Sequence, residues 1–358
     1  MIKSSNKKTE RKVVVAMSGG VDSSVASALL KKTGYDVVGI FMRFWKEQGL
    51  QKWNRCCLPD SEKRARRVAL TLGIPFFIVN LEKDFRKQVV DYFLREYKRG
   101  LTPNPCVVCN KEIKFGLLFK KALALKADYI ATGHYAKIQK AGIGYKLLKA
   151  EDKEKDQSYF LWQLKQKQLK RTLFPLGDLT KKEVRNLAKK LKLSVSGIPE
   201  SQEICFIQSN INDFLKRHLK QRPGSITDNK GNIIGRHQGL AFYTIGQRKG
   251  IGLPGGPYFV LRKDLKKNIL IVTKDERDLY QKGLIANKLN WISSKESHLP
   301  LKIKVKIRYR SKSAPATICK IKDKTYKVNF DCPQKAITPG QSAVFYRGQE
   351  VLGGGIIK

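Results

Sequence analysis

The sequence predicts an α/β protein with a doubly wound, mostly parallel sheet, followed by a small β-rich central domain and a C-terminal antiparallel β-barrel. An apolar run from Val13 to Met17 stops at Ser18-Gly19-Gly20 and is followed by a helical pattern, which is typical of a buried strand, a tight turn and a helix. Strands and helices then alternate over roughly the first 209 residues. Beyond that point, short strand-like runs punctuated by Pro and Gly replace them.

Within the first part, apolar residues recur at helical spacing or run together as buried strands. The capping box Thr180-Lys181-Lys182-Glu183 predicts a further helix that ends near Leu191. No helical pattern returns after about Asn210. The predicted strands are 36–42, 74–79 and 128–132, and the predicted helices are 59–72, 83–98 and 114–125.

The C-terminal part contains a strictly alternating stretch, Leu301 to Arg310, whose apolar residues share one face and whose Lys and Arg residues share the other. Further strands are predicted at 316–322, 325–330 and 342–346, which indicates a small barrel. The basic face is either an ordinary solvated surface or a row of phosphate contacts. Three domains are expected, with boundaries at 1–209, 210–283 and 284–358.

The composition indicates a polyanionic partner. The chain has 72 Lys and Arg residues against 30 Asp and Glu residues, a formal net charge of +42. Nucleic acid is favoured over a membrane because no basic amphipathic anchor stands out, although genome bias also produces Lys-rich chains. The N-terminal residues lack the apolar core of a signal peptide and no apolar run of membrane-spanning length occurs, so a cytoplasmic protein is expected.

The turn at Ser18-Gly19-Gly20 has the features of an anion site. Its glycines let the backbone approach a ligand, the hydroxyls of Ser18, Ser23 and Ser24 can donate hydrogen bonds, and N–H groups at the helix start face the ligand. It is not a Walker A loop, because no Gly-Lys-Ser or Gly-Lys-Thr ends it. An ordinary strand-to-helix turn is the alternative, and the Val-Asp-Ser-Ser sequence that follows favours a phosphate site.

Seven cysteines in a chain expected in a reducing compartment favour chemistry or metal binding over a disulfide framework. Cys106 and Cys109 lie in a Pro-rich loop before a predicted helix, where helix N–H groups and Lys111 and Lys114 favour a thiolate. Such a pair is a redox couple, half of a metal site or two structural cysteines. Cys205, taken alone, is interpreted as a buried core residue. The remaining cysteines, interpreted as structural, are Cys56, Cys57, Cys319 and Cys332.

The segment from Ser18 to Ser23 resembles the PP-loop (Ser-Gly-Gly-X-Asp-Ser) of the ATP pyrophosphatases, which split ATP to AMP and pyrophosphate while they adenylate an acceptor. Several segments together resemble the tRNA-specific 2-thiouridylases, which replace the 2-oxygen of the wobble uridine with sulfur. The matching segments run the whole length of the chain, in the order in which the family has them. These segments are 18–23, 39–42, 102–115, 131–136, 155–161, 204–207, 246–252, 308–310 and 338–341.

The resemblance implies an ATP-dependent sulfurtransferase. ATP lies on the PP-loop, Mg²⁺ helps to neutralise its phosphates, and the flipped-out uridine is adenylated on its 2-oxygen. A persulfide on Cys205 then delivers sulfur, and Cys109 is the nucleophile that releases it by forming a disulfide with Cys205. The implied ATP-binding residues are Ala16, Met17, Ser18, Gly19, Gly20, Val21, Asp22, Ser23, Met42 and Gly133.

Cys106 departs from the common form of the motif, in which Asn-Pro is followed by an Asp proposed as general acid or base. A thiol can transfer a proton, but its reference pKa of about 8.5 makes it a different acid from a carboxyl group. The substitution also gives three thiols, Cys106, Cys109 and Cys205, that could ligate a 4Fe–4S cluster with one iron open to sulfide. Thiolation through such a cluster is the alternative mechanism.

The resemblance also implies the partners, a tRNA with a wobble uridine and a sulfur-relay or cysteine desulfurase protein as donor. The first domain is then the catalytic PP-loop domain, and the second binds tRNA. A PP-loop enzyme that adenylates a different acceptor is one alternative, but it gives no reason for the thiols. A catalytically silent RNA-binding protein is another, and the intact Ser-Gly-Gly-X-Asp-Ser motif argues against it. The implied tRNA-binding residues are Asn104, Pro105, Cys106, His134, Lys155, Asp156, Gln157, Arg308, Tyr309 and Gln341.

Overall fold

The computed structural model describes residues 11–47, 59–199, 204–208, 210–294, 298–322 and 324–358. Cys56 and Cys57, together with the residues directly before Ile204, lie outside these ranges. The chain divides into two units. The first unit is Met1–Phe85, Asn110–Ser158 and Gln166–Phe206, and the second is Arg86–Cys109, Tyr159–Lys165 and Ile207–Lys358.

The helices are short, and in the described ranges none is long and apolar enough to span a membrane. The segments Arg86–Val90 and Cys109–Leu118 are π-helical, and Ser158–Phe160, Leu240–Phe242 and Glu276–Leu279 are 3₁₀ turns. The α-helices are α1 Val21–Lys32, α2 Pro59–Leu72, α3 Glu82–Phe85, α4 Asp91–Lys98, α5 Pro105–Val108, α6 Phe119–Ala124, α7 Gln166–Leu169, α8 Lys181–Lys190 and α9 Ile211–His218.

The strands are short in the first unit and longer towards the C-terminus. They are β1 Lys12–Ala16, β2 Asp36–Arg43, β3 Phe76–Asn80, β4 Tyr129–Ala131, β5 Lys137–Ala141, β6 Gly144–Leu148, β7 Thr172–Leu173, β8 Gly224–Thr227, β9 Ile233–His237, β10 Phe259–Asp264, β11 Ile269–Thr273, β12 Tyr280–Trp291, β13 Leu301–Lys306, β14 Ala314–Lys322, β15 Thr325–Lys335, β16 Ser342–Arg347 and β17 Glu350–Ile357.

A parallel sheet in the order β3-β2-β1-β4-β7 forms the core of the first unit. Val13, Val14 and Val15 are fully buried, as expected for a strand covered by helices on both faces. The chain builds β2 and β3 on one side of β1 and then crosses to β4 on the other side. The predicted doubly wound sheet is thus confirmed, and its topological switch point lies between β1 and β4.

The second unit contains two sheets. One has the strand order β10-β11-β8-β9. The other is antiparallel in the order β12-β15-β14-β13-β16-β17 and is closed by pairing of β12 with β17, so the predicted C-terminal barrel is confirmed. Along β13, Ile303 and Val305 are buried whereas Lys302 and Lys304 are exposed, as the alternation predicts. The strand ends at Lys306, four residues before the end of the alternating pattern.

Helix α9 contradicts the expectation that helices end near Asn210. Asn210 is its N-cap, and its side chain accepts a hydrogen bond from Asp213 N–H at 2.9 Å. Phe214 and Leu215, one turn further, are fully buried. An Asn followed three residues later by an acidic residue and an apolar pair is a helix start, and the turn-forming composition around it obscured this signal.

Candidate active site

The PP-loop forms the turn between β1 and α1, and two of its serines are bonded to each other. Ser18 N–H donates to Ser23 Oγ at 3.1 Å, and the two hydroxyl oxygens are 3.3 Å apart. The Ser23 hydroxyl also donates to the Gly20 carbonyl oxygen at 3.2 Å. Gly20 is the N-cap of α1 and has no side chain to bond the first-turn N–H groups, so these donors are available to an anion in the loop.

Gly19 is held against the start of α2. Its φ is +74°, and a Cβ at this position would lie 2.1 Å from the Ser61 carbonyl oxygen. Arg64 Nε donates to the Gly19 carbonyl oxygen at 3.1 Å, and Arg64 Nη2 donates to Ser61 Oγ at 2.7 Å. Only glycine fits here, and α2 fixes the loop through a residue that no motif points to.

Gly133 lies two residues after the end of β4 and against the first turn of α1. A Cβ at this position would lie 2.7 Å from Ser23 N and 2.8 Å from the Asp22 carbonyl carbon. The loops that follow β1 and β4 therefore meet at the switch point, where open α/β sheets bind their ligands. Met42 is the last but one residue of β2 and is 9% exposed.

Asp22 of the PP-loop is bound by two residues from later in the chain. The Tyr135 hydroxyl donates to Asp22 Oδ1 at 2.9 Å, and Lys181 Nζ lies 2.5 Å from the same oxygen. The Lys181 side chain is 11% exposed and that of Asp22 is 35% exposed. In the sequence, Lys181 stands out only as part of a capping box. No motif or residue spacing indicates its contact with Asp22.

His134, an implied tRNA contact, is buried. Its Nδ1 lies 2.7 Å from Thr132 Oγ1, and its Nε2 lies 3.4 Å from Lys114 Nζ. Burial, and then the charge of Lys114, lower the pKa of His134 well below its ordinary value of 6.5. The ring is therefore neutral at physiological pH, which suits a hydrogen bond to a base or a hydroxyl rather than an ion pair with a phosphate.

The segment around Asp156 is shaped by its own polar side chains. The buried Asp156 carboxylate accepts hydrogen bonds from the Ser158 N–H at 3.1 Å and the Ser158 hydroxyl at 2.9 Å. Gln157 Oε1 accepts from Tyr135 N–H at 3.0 Å. Asp156 and Gln157 therefore fix this loop, and Lys155 beside them is half-buried.

In the second unit, the helix that carries Cys106 begins at Pro105. Asn104 is its N-cap, and its side-chain oxygen accepts from Val107 N–H at 3.3 Å. The expectation of a loop that lasts to residue 114 is therefore wrong, because Asn-Pro is an N-cap followed by the first helical residue. Cys106 is half-buried in the first turn, and Cys109 is buried one turn further along. The N–H groups at the start of α5 therefore lie near Cys106 rather than near Cys109.

The residues before Asn104 are fixed by the turn that precedes β16. Gln341 Nε2 donates to the Thr102 carbonyl oxygen at 2.8 Å, and Thr102 N–H donates to the Pro339 carbonyl oxygen at 2.9 Å. Gly340 has a φ of +93°, and a Cβ there would lie 2.9 Å from Thr102 N. Two of the segments that the resemblance singles out therefore meet, although 239 residues separate Thr102 and Gln341.

Tyr309 lies in a cluster of aromatic and cationic side chains. Its ring centroid is 4.4 Å from that of Phe160 and 5.6 Å from Lys306 Nζ. Arg308 Nη2 donates to the Ala336 carbonyl oxygen at 2.7 Å, and burial lowers the pKa of Arg308 below its usual range. The Arg308 guanidinium is thus anchored by the protein's own oxygens, and the Tyr309 ring is partly exposed.

Cys205 lies half-buried in a turn, and the structure does not describe residues 200–203 before it. The following residue, Phe206, is 1% exposed, and its ring centroid lies 5.8 Å from that of Phe85. Of the cysteines interpreted as structural, Cys319 is half-buried and Cys332 is exposed. Within the described ranges, no group of three or more His, Cys, Asp or Glu side chains is arranged to hold a metal ion.

Three family models match consecutive parts of the chain. Residues 11–209 match a tRNA methyl transferase HUP domain, and residues 212–274 match a tRNA methyl transferase PRC-barrel domain. Residues 281–357 match an aminomethyltransferase beta-barrel domain. The matches correspond to the parallel sheet, the β8–β11 sheet and the C-terminal barrel.

Curated relatives match over nearly the whole chain. A tRNA-specific 2-thiouridylase MnmA from Halothermothrix orenii is 50% identical over 97% of this chain and 99% of its own length. The protein of the same name from Clostridioides difficile is 48% identical over 97% of this chain and 98% of its own length. A solved 4-thiouridine synthetase–RNA complex with bound ATP is 19% identical over 55% of this chain and 45% of that chain, with a TM-score of 0.38, which is too distant to support an argument.

Proposed function

The chain belongs to the tRNA-specific 2-thiouridylase family, and we propose that it replaces the 2-oxygen of the wobble uridine of tRNA with sulfur in an ATP-dependent reaction. The observation that carries the proposal is the Ser18–Ser23 pair beside the uncapped start of α1. It supplies hydroxyl and N–H donors at the switch point of the sheet, which is what a nucleotide phosphate requires.

ATP is proposed to bind along the loops that follow β1, β2 and β4. The PP-loop residues, Ala16 to Ser23, take the phosphates, while Met42 and Gly133 line the adenosine. The close approach of Gly133 to Ser23 N supports this, because a larger side chain would fill the space at the helix start. Mg²⁺, which binds through phosphate oxygens and few protein ligands, neutralises phosphate charge when it is bound.

The first chemical step is proposed to be adenylation of the target base. The uridine 2-oxygen forms a bond to the α-phosphorus, and pyrophosphate leaves with the electron pair of the broken P–O bond. The uridine has to be flipped out for this, since its 2-carbonyl is inaccessible in a stacked loop. The first-turn position of Cys106 supports a role for this thiol in moving a proton near the base, where relatives with Asn-Pro-Asp have a carboxyl group.

The second step is proposed to be sulfur transfer. The Cys109 thiolate attacks the Cys205 Sγ of a Cys205 persulfide, a disulfide forms, and the outer sulfur leaves as hydrosulfide. The hydrosulfide attacks carbon 2 of the adenylated uridine and AMP departs. A cellular thiol then reduces the disulfide, and a sulfur-relay or cysteine desulfurase protein restores the persulfide.

A 4Fe–4S cluster on Cys106, Cys109 and Cys205 is the alternative route for the sulfur. Within the described residues, no group of three or more His, Cys, Asp or Glu side chains is arranged to hold a metal ion. Measurement of iron and sulfide in the purified protein decides between the two routes.

The tRNA is proposed to contact residues of both units. Asn104, Pro105 and Cys106 are assigned to the target base, and the bond from Gln341 to Thr102 supports a shared surface there. Tyr309 offers a ring for stacking next to the Lys306 ammonium. The other assigned contacts are His134, Lys155, Asp156, Gln157, Arg308 and Gln341. The same proposal includes domain boundaries at residues 209 and 283. It also includes a cytoplasmic location, where both ATP and tRNA are present.

Two assays test the proposed function. Exchange of labelled pyrophosphate into ATP that depends on a wobble-uridine tRNA separates an adenylating enzyme from a silent RNA-binding protein. Nucleoside analysis of the same tRNA, after incubation with ATP and a persulfide donor, separates thiolation from other adenylations. The proposal is wrong if neither pyrophosphate exchange nor 2-thiouridine is detected with a tRNA that the protein binds.

A further inference from the structure

Lys181 reaches the PP-loop from 159 residues after Asp22. Its Nζ lies 2.5 Å from Asp22 Oδ1 and 5.7 Å from the ring centroid of Tyr135. Its side chain is only 11% exposed. Ion pairs on a protein surface contribute little, whereas this pair is partly buried and includes a residue of the PP-loop. Its position therefore calls for a functional reason.

Independent contacts fix the backbone at Lys181. The predicted capping box is present: Glu183 Oε2 accepts from Thr180 N–H at 2.7 Å, and Thr180 Oγ1 accepts from Glu183 N–H at 3.3 Å. Asp152 Oδ2 accepts from the Lys181 N–H at 2.9 Å. The base of the lysine side chain is thus held in place, and its ammonium is preorganised at the PP-loop.

The local electrostatics alone do not explain why a lysine stands at position 181. Lys181 is the first residue of α8, and its ammonium lies beside Asp22 in the first turn of α1. Both helix N-termini carry partial positive charge, so neither favours a cation. Asp22 compensates for this, yet a carboxylate beside a triphosphate repels it. An ammonium next to Asp22 offsets that repulsion and adds a positive charge beside the PP-loop.

We propose that Lys181 is a catalytic residue of the adenylation step, which binds the β- and γ-phosphates of ATP and stabilises the departing pyrophosphate. This assignment rests on the proposed function, in which ATP is consumed. As the uridine 2-oxygen bonds to the α-phosphorus, the bond from that phosphorus to the oxygen of the β-phosphate breaks, and its electron pair stays on pyrophosphate. Lys181 keeps its proton and donates a hydrogen bond to the growing charge.

The test compares Lys181→Met with Lys182→Met, the exposed neighbouring lysine in the same turn. Loss of one such donor lowers catalysis by about 10² to 10³-fold, so Lys181→Met is expected to reduce kcat/KM for tRNA-dependent pyrophosphate exchange by that factor. It is also expected to reduce the rise in Tm on addition of ATP. Lys182→Met should match the wild type in both. Lys181→Arg keeps the charge with another geometry and should recover part of the rate.

Wild-type exchange by Lys181→Met would overturn the assignment. If Lys181→Met does not fold, the assignment is tested instead by reductive methylation of the lysines in the wild-type protein. Inorganic pyrophosphate added alone should then protect Lys181, but not Lys182, from labelling, and equal labelling of Lys181 with and without pyrophosphate would overturn the assignment. A wild-type protein that shows no exchange with tRNA refutes the proposed function instead, before the variants are compared.

Discussion

Gln341 donates its side-chain amide hydrogen bond to the Thr102 carbonyl oxygen at 2.8 Å, so residues near the C-terminus fix the chain directly before Asn104. A second contact supports the same segment, because Lys263 Nζ of β10 donates to the Gly100 carbonyl oxygen at 2.9 Å. The β-rich parts of the second unit therefore position the start of α5, which carries Cys106 and ends directly before Cys109.

Removing the Gln341 amide should affect the reaction with tRNA more than the fold. A single hydrogen bond contributes about 1 kcal/mol, so Gln341→Leu is expected to lower kcat/KM for tRNA thiolation about fivefold while Tm falls by only a few degrees. The matched control is Gln334→Leu, since the Gln334 side chain donates to the Cys332 and Pro333 carbonyl oxygens of its own strand, β15. Equal effects of the two variants on thiolation would contradict the positioning role.

A methyl group at Gly133 should disturb the ATP site. The added Cβ of Gly133→Ala meets backbone atoms of Asp22 and Ser23 under 3 Å away, and such overpacking costs about 1–3 kcal/mol. The variant is expected to unfold at lower urea concentration and to bind ATP more weakly by calorimetry. Gly197→Ala, whose added Cβ would meet no atom within 4 Å beyond its chain neighbours, should behave as the wild type. ATP affinity unchanged in Gly133→Ala would place the nucleotide elsewhere.

Lys263 should make stability depend on pH in the alkaline range. Burial lowers the pKa of Lys263 to about 8, whereas an unfolded lysine has a pKa of about 10.4. Between these two pKa values the unfolded state binds more protons than the folded state. As the pH rises, the buried Lys263 amine loses its proton and the cost of burying its charge disappears. The free energy of unfolding therefore rises with pH. Relative to Lys263→Met, the wild type should gain about 1 kcal/mol between about pH 8 and pH 9.5 in urea unfolding.

The exposed Lys267 supplies the control for that experiment. Lys267→Met should leave the pH dependence of the free energy of unfolding as it is in the wild type. If Lys263→Met also leaves it unchanged, the pKa of Lys263 is the same in the folded and unfolded states, and burial does not lower it.

Cys106→Asp should distinguish a proton carrier from a cluster ligand. The change restores the Asn-Pro-Asp form of the motif, and a carboxylate transfers protons but ligates iron–sulfur clusters poorly. We expect Cys106→Asp to retain thiolation within about tenfold of the wild type, because one proton-transfer group contributes about 10² or more and is here replaced rather than removed. Complete loss of thiolation together with loss of iron would show that Cys106 is a ligand.

The sequence is sufficient for features that depend on local pattern. The fully buried Val13 to Val15 and the alternation at Ile303 and Val305 follow from apolar periodicity, and both predictions are confirmed. The capping box at Thr180 and Glu183 is a spacing of three residues and is also confirmed. Patterns this local need no knowledge of the rest of the fold.

Errors arise where one residue type has two local meanings. The composition around Asn104-Pro105 and Asn210 predicts loops, yet both asparagines cap helices. The contacts of Lys181 with Asp22 and of Arg64 with Gly19 depend on which helices pack beside β1. No periodicity encodes such pairs, so only the folded chain could place these cations at the PP-loop.

The most direct test of the persulfide proposal is single-turnover thiolation of a wobble-uridine tRNA by anaerobically purified protein whose iron and sulfide content is measured first. Metal-free protein supplied with ATP and a persulfide donor is predicted to form 2-thiouridine, and Cys205→Ser should form none while it still exchanges pyrophosphate into ATP. Thiolation only by protein that contains stoichiometric iron and sulfide would contradict the persulfide route and make Cys106, Cys109 and Cys205 cluster ligands.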